Sequence, residues 1–384
     1  MSTRRFDAIV VGGGLAGRAA AVALGQAELS VLHLAPKGAT DRRTSALMGP
    51  SVAFLQSLGA LSDPPSFGAP LRRIRIIDAT GRLIRAPEAL FDCREIDTAA
   101  FGWNLPNTAL AEALDREAAA LPSLVSEAKG AQSIGFEDGS ASVALSGGEI
   151  AETSLVVGAD GKASLVRAAA GIEARERKFA QAALVADLKL GRPLIDTSVE
   201  FHYPNGPFTL VPAGENRANL VWIDDRATLE AAKSNIGALP SRLAALSQHL
   251  FGTIEIAGPV VTFPLSTLTV STAGAKAAVL VGESAHAFPP IGAQGLNLGL
   301  RDVADLTNLL PSKREAGWEE ELSRRYAERR AGDLARTGAT VDALFRSLIA
   351  EMLPAQAIRA GGLWALKLLP PLRRQAFVAG MGAR

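Results

Sequence analysis

Apolar residues fall into distinct spacings along this chain, and each predicts its own kind of element. Short, largely apolar blocks at 6–11, 30–35, 154–157 and 278–281 read as buried strands. Residues 72–77 and 82–84 alternate polar and apolar side chains around Asp78-Ala79-Thr80-Gly81, which predicts a hairpin, and 135–145 reads as a second, polar one. Helical spacing governs the alanine-rich segment running to Gln26, and 104–120 with Leu110 and Leu114 inward. It returns at 296–309, where Leu296, Leu300, Val303 and Leu306 form the inward stripe and Arg301, Asp302 and Asp305 lie largely outside it. Segment 182–268 is strand-rich, with strands at 183–190, 199–203, 209–211 and 219–223, a helical insert at 226–250, and a further strand at 255–263. Last comes a helix over 318–352, with Tyr326, Leu334, Val341, Leu344, Phe345 and Leu348 on its apolar side and Arg324, Arg325, Arg329, Arg330 and Arg336 on its basic side. Strands alternating with helices place the chain in the α/β class.

Glycine marks where chemistry is expected. The first strand runs into Gly12-Gly13-Gly14-Leu15-Ala16-Gly17 and then a helix. That is G-x-G-x-x-G in the setting of strand, tight turn and helix that brings backbone N–H groups onto a pyrophosphate, so Gly12, Gly14 and Gly17 are dinucleotide-binding candidates. The strand at 30–35 should then end in an acid for the ribose hydroxyls, but the position is Ala35, followed by Pro36 and Lys37. His33 on the same strand reads as a packed histidine rather than a ribose ligand. Segment 282–295 is too rich in glycine and proline for a regular element and feeds the helix at 296–309. Backbone N–H groups from Ile291 to Asn297 can therefore collect at a helix start, where no partner inside the helix satisfies them and the dipole favours an anion. Gly292, Gly295 and Gly299 let a flat or charged ligand approach the backbone. An ordinary loop before a surface helix would have the same composition.

Composition narrows the function classes. With 384 residues the chain is long enough for two units, and 40 basic against 39 acidic side chains leave a net charge of +1, with no global field to recruit nucleic acid. A single cysteine, Cys93, excludes an intramolecular disulfide framework, and no histidine spacing marks a metal site. The N-terminus enters a strand without the pattern of a signal peptide, and the longest uncharged stretch, 256–275, is interrupted by Pro259 and Pro264, so a cytoplasmic location is the expectation. Beyond residue 354 there are Arg359, Lys367, Arg373, Arg374 and Arg384 but no acid, mixed with Trp364, Leu366, Leu368, Leu369 and Phe377. That mixture suits a shallow contact with a membrane surface; terminal helices covering a core explain the same leucines.

Gly282-Glu283-Ser284-Ala285-His286, followed by Pro289-Pro290-Ile291-Gly292-Ala293-Gln294-Gly295-Leu296-Asn297, resembles the second flavin-binding motif of the FAD-dependent aromatic hydroxylases, and most closely their ubiquinone-biosynthesis branch. Glu283 stands where the family has aspartate, and Ala293-Gln294 alters the approach to Gly295. Gly158-Ala159-Asp160-Gly161, with Ser164 and Arg167, is similar to the family's Asp-Gly motif, and the segment from Asp41 to Leu47 resembles the stretch that crosses the flavin.

The resemblance implies a Rossmann-type FAD-binding domain with an inserted β-sheet substrate domain and C-terminal helices. The FAD-binding parts would be 1–70, 101–180 and 271–310, the substrate parts 71–100 and 181–270, and the helical segment 311–384. It implies Arg43 near the pyrophosphate or flavin edge, Asp160 and Gly161 at the ribityl chain, and Glu283 at a ribityl or pyrophosphate-side group. Asn104 and Asn107 would stand near the ribityl chain, where the family often has arginine and glutamine. The turn from Pro289 to Gly295 would lie along the flavin, with backbone donors at Gly292, Gly295, Leu296 and Asn297. His286, Pro289 and Gly295 are the candidates at the reacting end, His286 having no evident acid–base partner in the sequence. The implied chemistry is reduction of FAD by NADPH or NADH and transfer of one oxygen atom from O2 to the ring of a prenylated phenol or quinone precursor, at a membrane or beside other ubiquinone-biosynthesis proteins. A flavin reductase or dehydrogenase on the same scaffold, or a non-catalytic relative that organises pathway proteins, stands as the alternative.

Overall fold

The computed structural model describes residues 4–81, 86–137, 139–315, 317–349, 361–362, 364–366 and 368–380. The chain opens with β1 (Arg4–Val11), α1 (Leu15–Gln26), β2 (Val31–Leu34), β3 (Thr44–Met48), α2 (Gly49–Ser57), α3 (Pro64–Phe67), β4 (Ala69–Leu71), β5 (Arg73–Asp78), β6 (Ala89–Asp92), β7 (Gly102–Pro106) and α4 (Asn107–Ala119). There follow β8 (Leu124–Glu127), β9 (Ala131–Glu137), β10 (Ser140–Leu145), β11 (Ile150–Gly158), α5 (Leu165–Ala169), β12 (Ala174–Leu190), β13 (Thr197–Tyr203), β14 (Gly206–Pro212) and β15 (Arg217–Asp225). The remainder is α6 (Arg226–Ser234), α7 (Leu239–Leu246), β16 (Ile254–Ile256), β17 (Val261–Val270), β18 (Gly274–Ala275), β19 (Ala278–Leu280), β20 (His286–Ala287), α8 (Gln294–Asn308), α9 (Trp318–Ile349) and a helix over Pro370–Gly380.

One sheet has the order β18-β19-β11-β1-β2-β8, with the β9–β10 hairpin attached to β11. Its centre is parallel, β1 lying between β11 and β2. Parallel strands are covered on both faces, which is why residues 8–11 of β1 are an apolar run and β2 is apolar but for His33. Ala8, Val10, Val31, Leu155 and Val157 point to the side of α1, α4 and α8. Ile9, Val11, Leu32, Leu34 and Val156 point to the side of α5 and the hairpin.

A second sheet has the order β20-β17-β12-β15-β14-β13-β5-β6, with β16 also paired to β12. Leu184, Leu188, Phe208, Leu210, Leu220 and Trp222 form its buried face, closed by Leu229 of α6 and Leu239 and Leu243 of α7. The opposite face is only half covered. Register places Val185 beside Val221 and Val261, Val221 beside Thr209, and Asp187 beside Asn219, all half-buried. A small sheet, β3-β7-β4, joins the two layers. Among the described residues no helix is long and apolar enough to cross a membrane.

Several expectations shift. The helix expected from Asn104 starts at Asn107; Asn104 lies in β7, paired with Ala46 on one side and Ala69 on the other, because Pro106 sets an extended entry to the helix. The 82–84 arm of the first hairpin falls outside the described residues, and the antiparallel partner of β5 is β6. The insert at 226–250 is two helices, and the strand at 255–263 divides into β16 and β17. Asp302 and Asp305, expected outside the stripe of α8, are 0% and 7% exposed, and Arg330, expected on a basic outer face, is 0% exposed. The side chains of Leu344, Phe345 and Leu348 fall outside the described residues.

Gly12 has φ +129°, and a Cβ there would lie 2.1 Å from the Ala159 carbonyl oxygen. Gly12→Ala should therefore destabilise the fold by about 3 kcal/mol or more, read as a fall in thermal midpoint of several degrees.

Candidate functional site

The end of β1 and the start of α1 are built by exclusion. A Cβ on Gly17 would lie 2.0 Å from the Gly12 carbonyl oxygen, so only glycine lets the helix begin so close to the strand. Gly14, the residue preceding α1, is exposed with nothing near its missing side chain, and neither a capping side chain nor an acid occupies the first turn. The first N–H groups of α1 thus stand open to an anion. Beneath them, His33 Nε2 donates to the Gly12 carbonyl at 3.0 Å, a bond that the sequence did not signal. Ala35 follows β2 and supplies no polar group.

The α8 start has the same character. Gly292 and Ala293 both take positive φ (+64° and +55°), and no side chain caps the helix. Gly292 and Gly295 are exposed, Leu296 is half-buried, and the backbone N–H groups of 294–296 have no acceptor within the helix. Asn297 is committed elsewhere. Its amide donates to the carbonyls of Ala46 (2.8 Å) and Ala293 (2.6 Å) and accepts from Met48 N–H (2.8 Å), tying β3 to α8. The two helices meet at small residues: a Cβ on Gly299 would come within 3.2 Å of Gly282 Cα and 3.6 Å of Ala16 Cβ. Both uncapped starts consequently share one locality.

Asp160, in the loop after β11, lies beside Gly12, its backbone N 2.9 Å from where a Cβ on Gly12 would stand. Its Oδ2 accepts from the N–H groups of Leu165 (2.6 Å) and Val166 (3.2 Å), while Oδ1 is buried with no partner. An orphaned buried carboxylate oxygen calls for a donor from outside the chain. Gly161 follows at φ +76° with open space around it. Arg167 donates to the carbonyls of Ser284 (2.9 Å) and Lys162 (2.6 Å), locking this loop to the second glycine turn.

Glu283 is exposed on that turn, and its charge is felt by Arg43. The Arg43 guanidinium forks onto Asp41 at 2.7 and 2.8 Å and lies 5.8 Å from the Phe263 ring centre. The Asp41 bond holds Arg43 above its ordinary pKa. Burial works against the Asp41 carboxylate, yet bonds from Arg43 and Asn107 hold it below the usual range. Asn104 donates to the Pro212 carbonyl at 2.9 Å and to Asn219 Oδ1 at 2.7 Å, where Thr44 also donates at 2.8 Å. Its amide is buried and joins the small sheet to the large one.

His286 does have a partner, contrary to the sequence expectation: its Nε2 lies 2.6 Å from Asp302 Oδ2, both groups being buried. Pro289 is also buried, its carbonyl accepting from Ile291 N–H at 2.7 Å. Asp302 and Arg330 were missed because an acid on a helix and an arginine on a later helix look like solvent-facing charges. The available signal was that Leu298, Asp302 and Asp305 share a helical face.

A family model described as FAD binding domain matches residues 5–336, most of the chain and both glycine turns. The chain belongs to the FAD binding domain family. FAD is its cofactor, and the open N–H groups, the space at Gly14 and Gly295 and the orphaned Asp160 oxygen fit such a ligand. The chain is 28% identical to the 3-demethoxyubiquinol 3-hydroxylase of Escherichia coli (strain K12) over 398 residues, covering 100% of each chain. It is 28% identical to the ubiquinone hydroxylase UbiL of Rhodospirillum rubrum, covering 98% of this chain and 89% of that one. Among solved structures, p-nitrophenol 4-monooxygenase PnpA from Pseudomonas putida DLL-E4 shares the fold with a TM-score of 0.81 and 19% identity, covering 100% of each chain.

Burial lowers the pKa of His33 below its ordinary 6.5, so the neutral ring that donates to Gly12 is favoured in the fold. The unfolded chain binds that proton first. The stability it contributes is complete above pH 6.5 and is lost as pH falls toward the lowered folded value. Urea midpoints between pH 7.5 and 5 should fall less steeply in His33→Gln than in the parent.

Proposed function

We propose that this flavoprotein is an NAD(P)H-consuming monooxygenase that hydroxylates the aromatic ring of a prenylated ubiquinone precursor. The observation that carries the reading is the placement of an apolar, half-covered sheet face beside the α8 start. Ile291 of the glycine turn packs against Ala183, Ile223 and Leu265 at one end of that face. Val185, Val211, Val221 and Val261 continue it, Phe263 stands 38% exposed at its rim, and Asp187 and Asn219 close the other end. A bed of this kind takes a largely apolar ring and chain; Asn219 is committed to Asn104, Thr44 and Asp187, which leaves the second Asp187 carboxylate oxygen to orient a ring hydroxyl. The names of the curated relatives supply the substrate class.

Bound FAD, reduced by NADPH or NADH, supplies the activation of O2. The chain's own residues do the rest. In this reading the eight-stranded sheet with α1 and α8 is the FAD-binding unit and the nine-stranded sheet the substrate unit. The amides at Gly14 and the α1 start hold the pyrophosphate, Asp160 Oδ1 accepts from a cofactor hydroxyl with Gly161 giving it room, and Arg43 and Glu283 flank the approach. The amides of 294–296, with Gly292 and Gly295 leaving the backbone bare, stabilise negative charge at the ring edge. Pro289, Ile291 and the valines exclude water. His286 serves to hold the turn. Trp364, Leu368, Leu369 and Leu372 are 46, 66, 52 and 42% exposed, which supports contact of the C-terminal segment with a membrane surface.

The first test is the visible spectrum of the purified protein with and without added FAD, followed by NAD(P)H and O2 consumption with prenylated phenols. Bound flavin with one oxygen atom incorporated is expected, and Val221→Trp should raise KM about tenfold while flavin stays bound. Flavin reduction with no oxygen incorporation would favour a reductase. A protein that takes up no flavin would favour the non-catalytic reading, for which Ala35 is the motive. Separately, Leu368→Asp with Leu369→Asp should weaken sedimentation with anionic vesicles; unchanged sedimentation would remove the membrane contact.

A further inference from the structure

Behind the second glycine turn lies a buried polar cluster that belongs to neither the cofactor contacts nor the substrate bed. Ser323, Tyr326, Arg330 and Asp333 follow one another at helical spacing and share one face of α9. Ser323 Oγ donates to the Ala278 carbonyl and Tyr326 Oη to the Leu280 carbonyl, each at 2.8 Å, so this face grips β19 up to its last residue. Arg330 reaches the next point along the chain. Its Nε donates to Asp302 Oδ1 at 2.8 Å, and its Nη1 meets Asp305 and Asp333 at 2.7 Å each. Arg301 and Arg329 approach Asp333 and Asp305 from the outside at 3.0 and 3.2 Å, so three guanidinium groups face three carboxylates.

Asp302 carries the cluster to the turn. Its Oδ2 accepts from the Gly282 N–H at 2.8 Å and from His286 Nε2 at 2.6 Å. Gly282 sits at φ +63°, where backbone conformation alone does not hold it, and glycine there has wide freedom unless its amide is tied. His286 begins β20, which pairs with β17 of the substrate sheet through Thr269. One carboxylate therefore sets both the entry to the glycine turn and the point where that turn meets the second sheet. Replacing buried ion pairs with apolar residues is often neutral or stabilising, so bulk stability is a weak account of this arrangement.

We propose that Arg330 is a positioning residue for the flavin site, acting through Asp302 on the Gly282 amide and His286. It touches neither ligand. The inference rests on the reading that the 282–295 turn lies against FAD, and its consequence is that α9 governs flavin affinity and the fit between flavin and substrate bed.

The test uses the full chain with Arg330→Gln, Arg330→Lys and, as a surface control, Arg324→Gln. Amide hydrogen exchange is measured on the apoprotein and FAD affinity by quenching of flavin fluorescence, both well below the unfolding temperature. Arg330→Gln should speed exchange locally at 282–295 and weaken FAD binding by about tenfold or more, the scale on which partners behind a bound group act. Arg330→Lys, which keeps the charge and loses the fork, should fall between, and Arg324→Gln should match the parent. Should Arg330→Gln fail to fold, Asp302→Asn carries the same two readouts. Unchanged exchange and affinity, or exchange that rises evenly over the whole chain, would overturn the proposal. A parent protein that binds no FAD would fail the functional reading instead, and the apoprotein exchange would still decide whether Arg330 holds the turn.

Discussion

Two helix starts can share one locality only when nothing larger than a methyl group lies between them, and on that constraint the rest of this structure depends. Ala16 and Gly299 meet across Gly282, with a Cβ on Gly299 coming 3.2 Å from Gly282 Cα. Each helix brings amides that have no acceptor of their own, and crowding them together would be unfavourable without an anionic or polar ligand to accept from them. The strands exist to present those starts. Residues 8–11 of β1 and all of β19 are buried and lead into the two glycine turns, and the left-handed residues Gly282, Gly292 and Ala293 steer the chain into α8.

Many polar side chains near the site hold elements together. Asn297 joins β3 to α8, Asn104 and Thr44 converge on Asn219 to join the small sheet to the large one, and His33 secures the Gly12 carbonyl. A half-buried amide satisfied on all sides is costly to move, because breaking one bond strands its partner. These joints tie the second sheet and β3 to the α8 start. Against that background Asp160 Oδ1 and His286 Nδ1 are buried near the site with no partner from the protein.

The second sheet divides labour between its faces. The face under α6 and α7 is packed with Phe208, Leu220 and Trp222 and accounts for its stability; the opposite face carries valines that are only half covered. Ile291 closes one end of it, so the second glycine turn and this valine face are parts of one surface. The buried guanidinium of Arg330 works on the far side. Burial by itself would lower its pKa, but Asp302 and its neighbours raise it above the ordinary arginine value, so the charge is permanent and its geometry well specified.

The sequence by itself determined the glycine turns and the buried strands that lead to them, because those depend on local chemistry: a short apolar run, a missing Cβ, a proline. It carried β1, α1, β2, β11, β19, α8 and α9 in their order and the inward side of α4, where Leu110 and Leu114 are buried as their spacing required, but it did not mark β3, α2, β4, β6, β7 or β8. Only the tertiary structure decided the fates of the charges and amides. Asp302 and Arg330 are separated by 28 residues, and nothing local distinguishes them from solvated side chains until α8 and α9 pack together. Asn104 was placed on a helix by its apolar neighbours, but pairing with β3 and β4, both remote in sequence at that point of the chain, made it a strand residue. Burial of a polar group depends on a partner that the chain brings from elsewhere, and that information lies in the packing rather than in the local pattern.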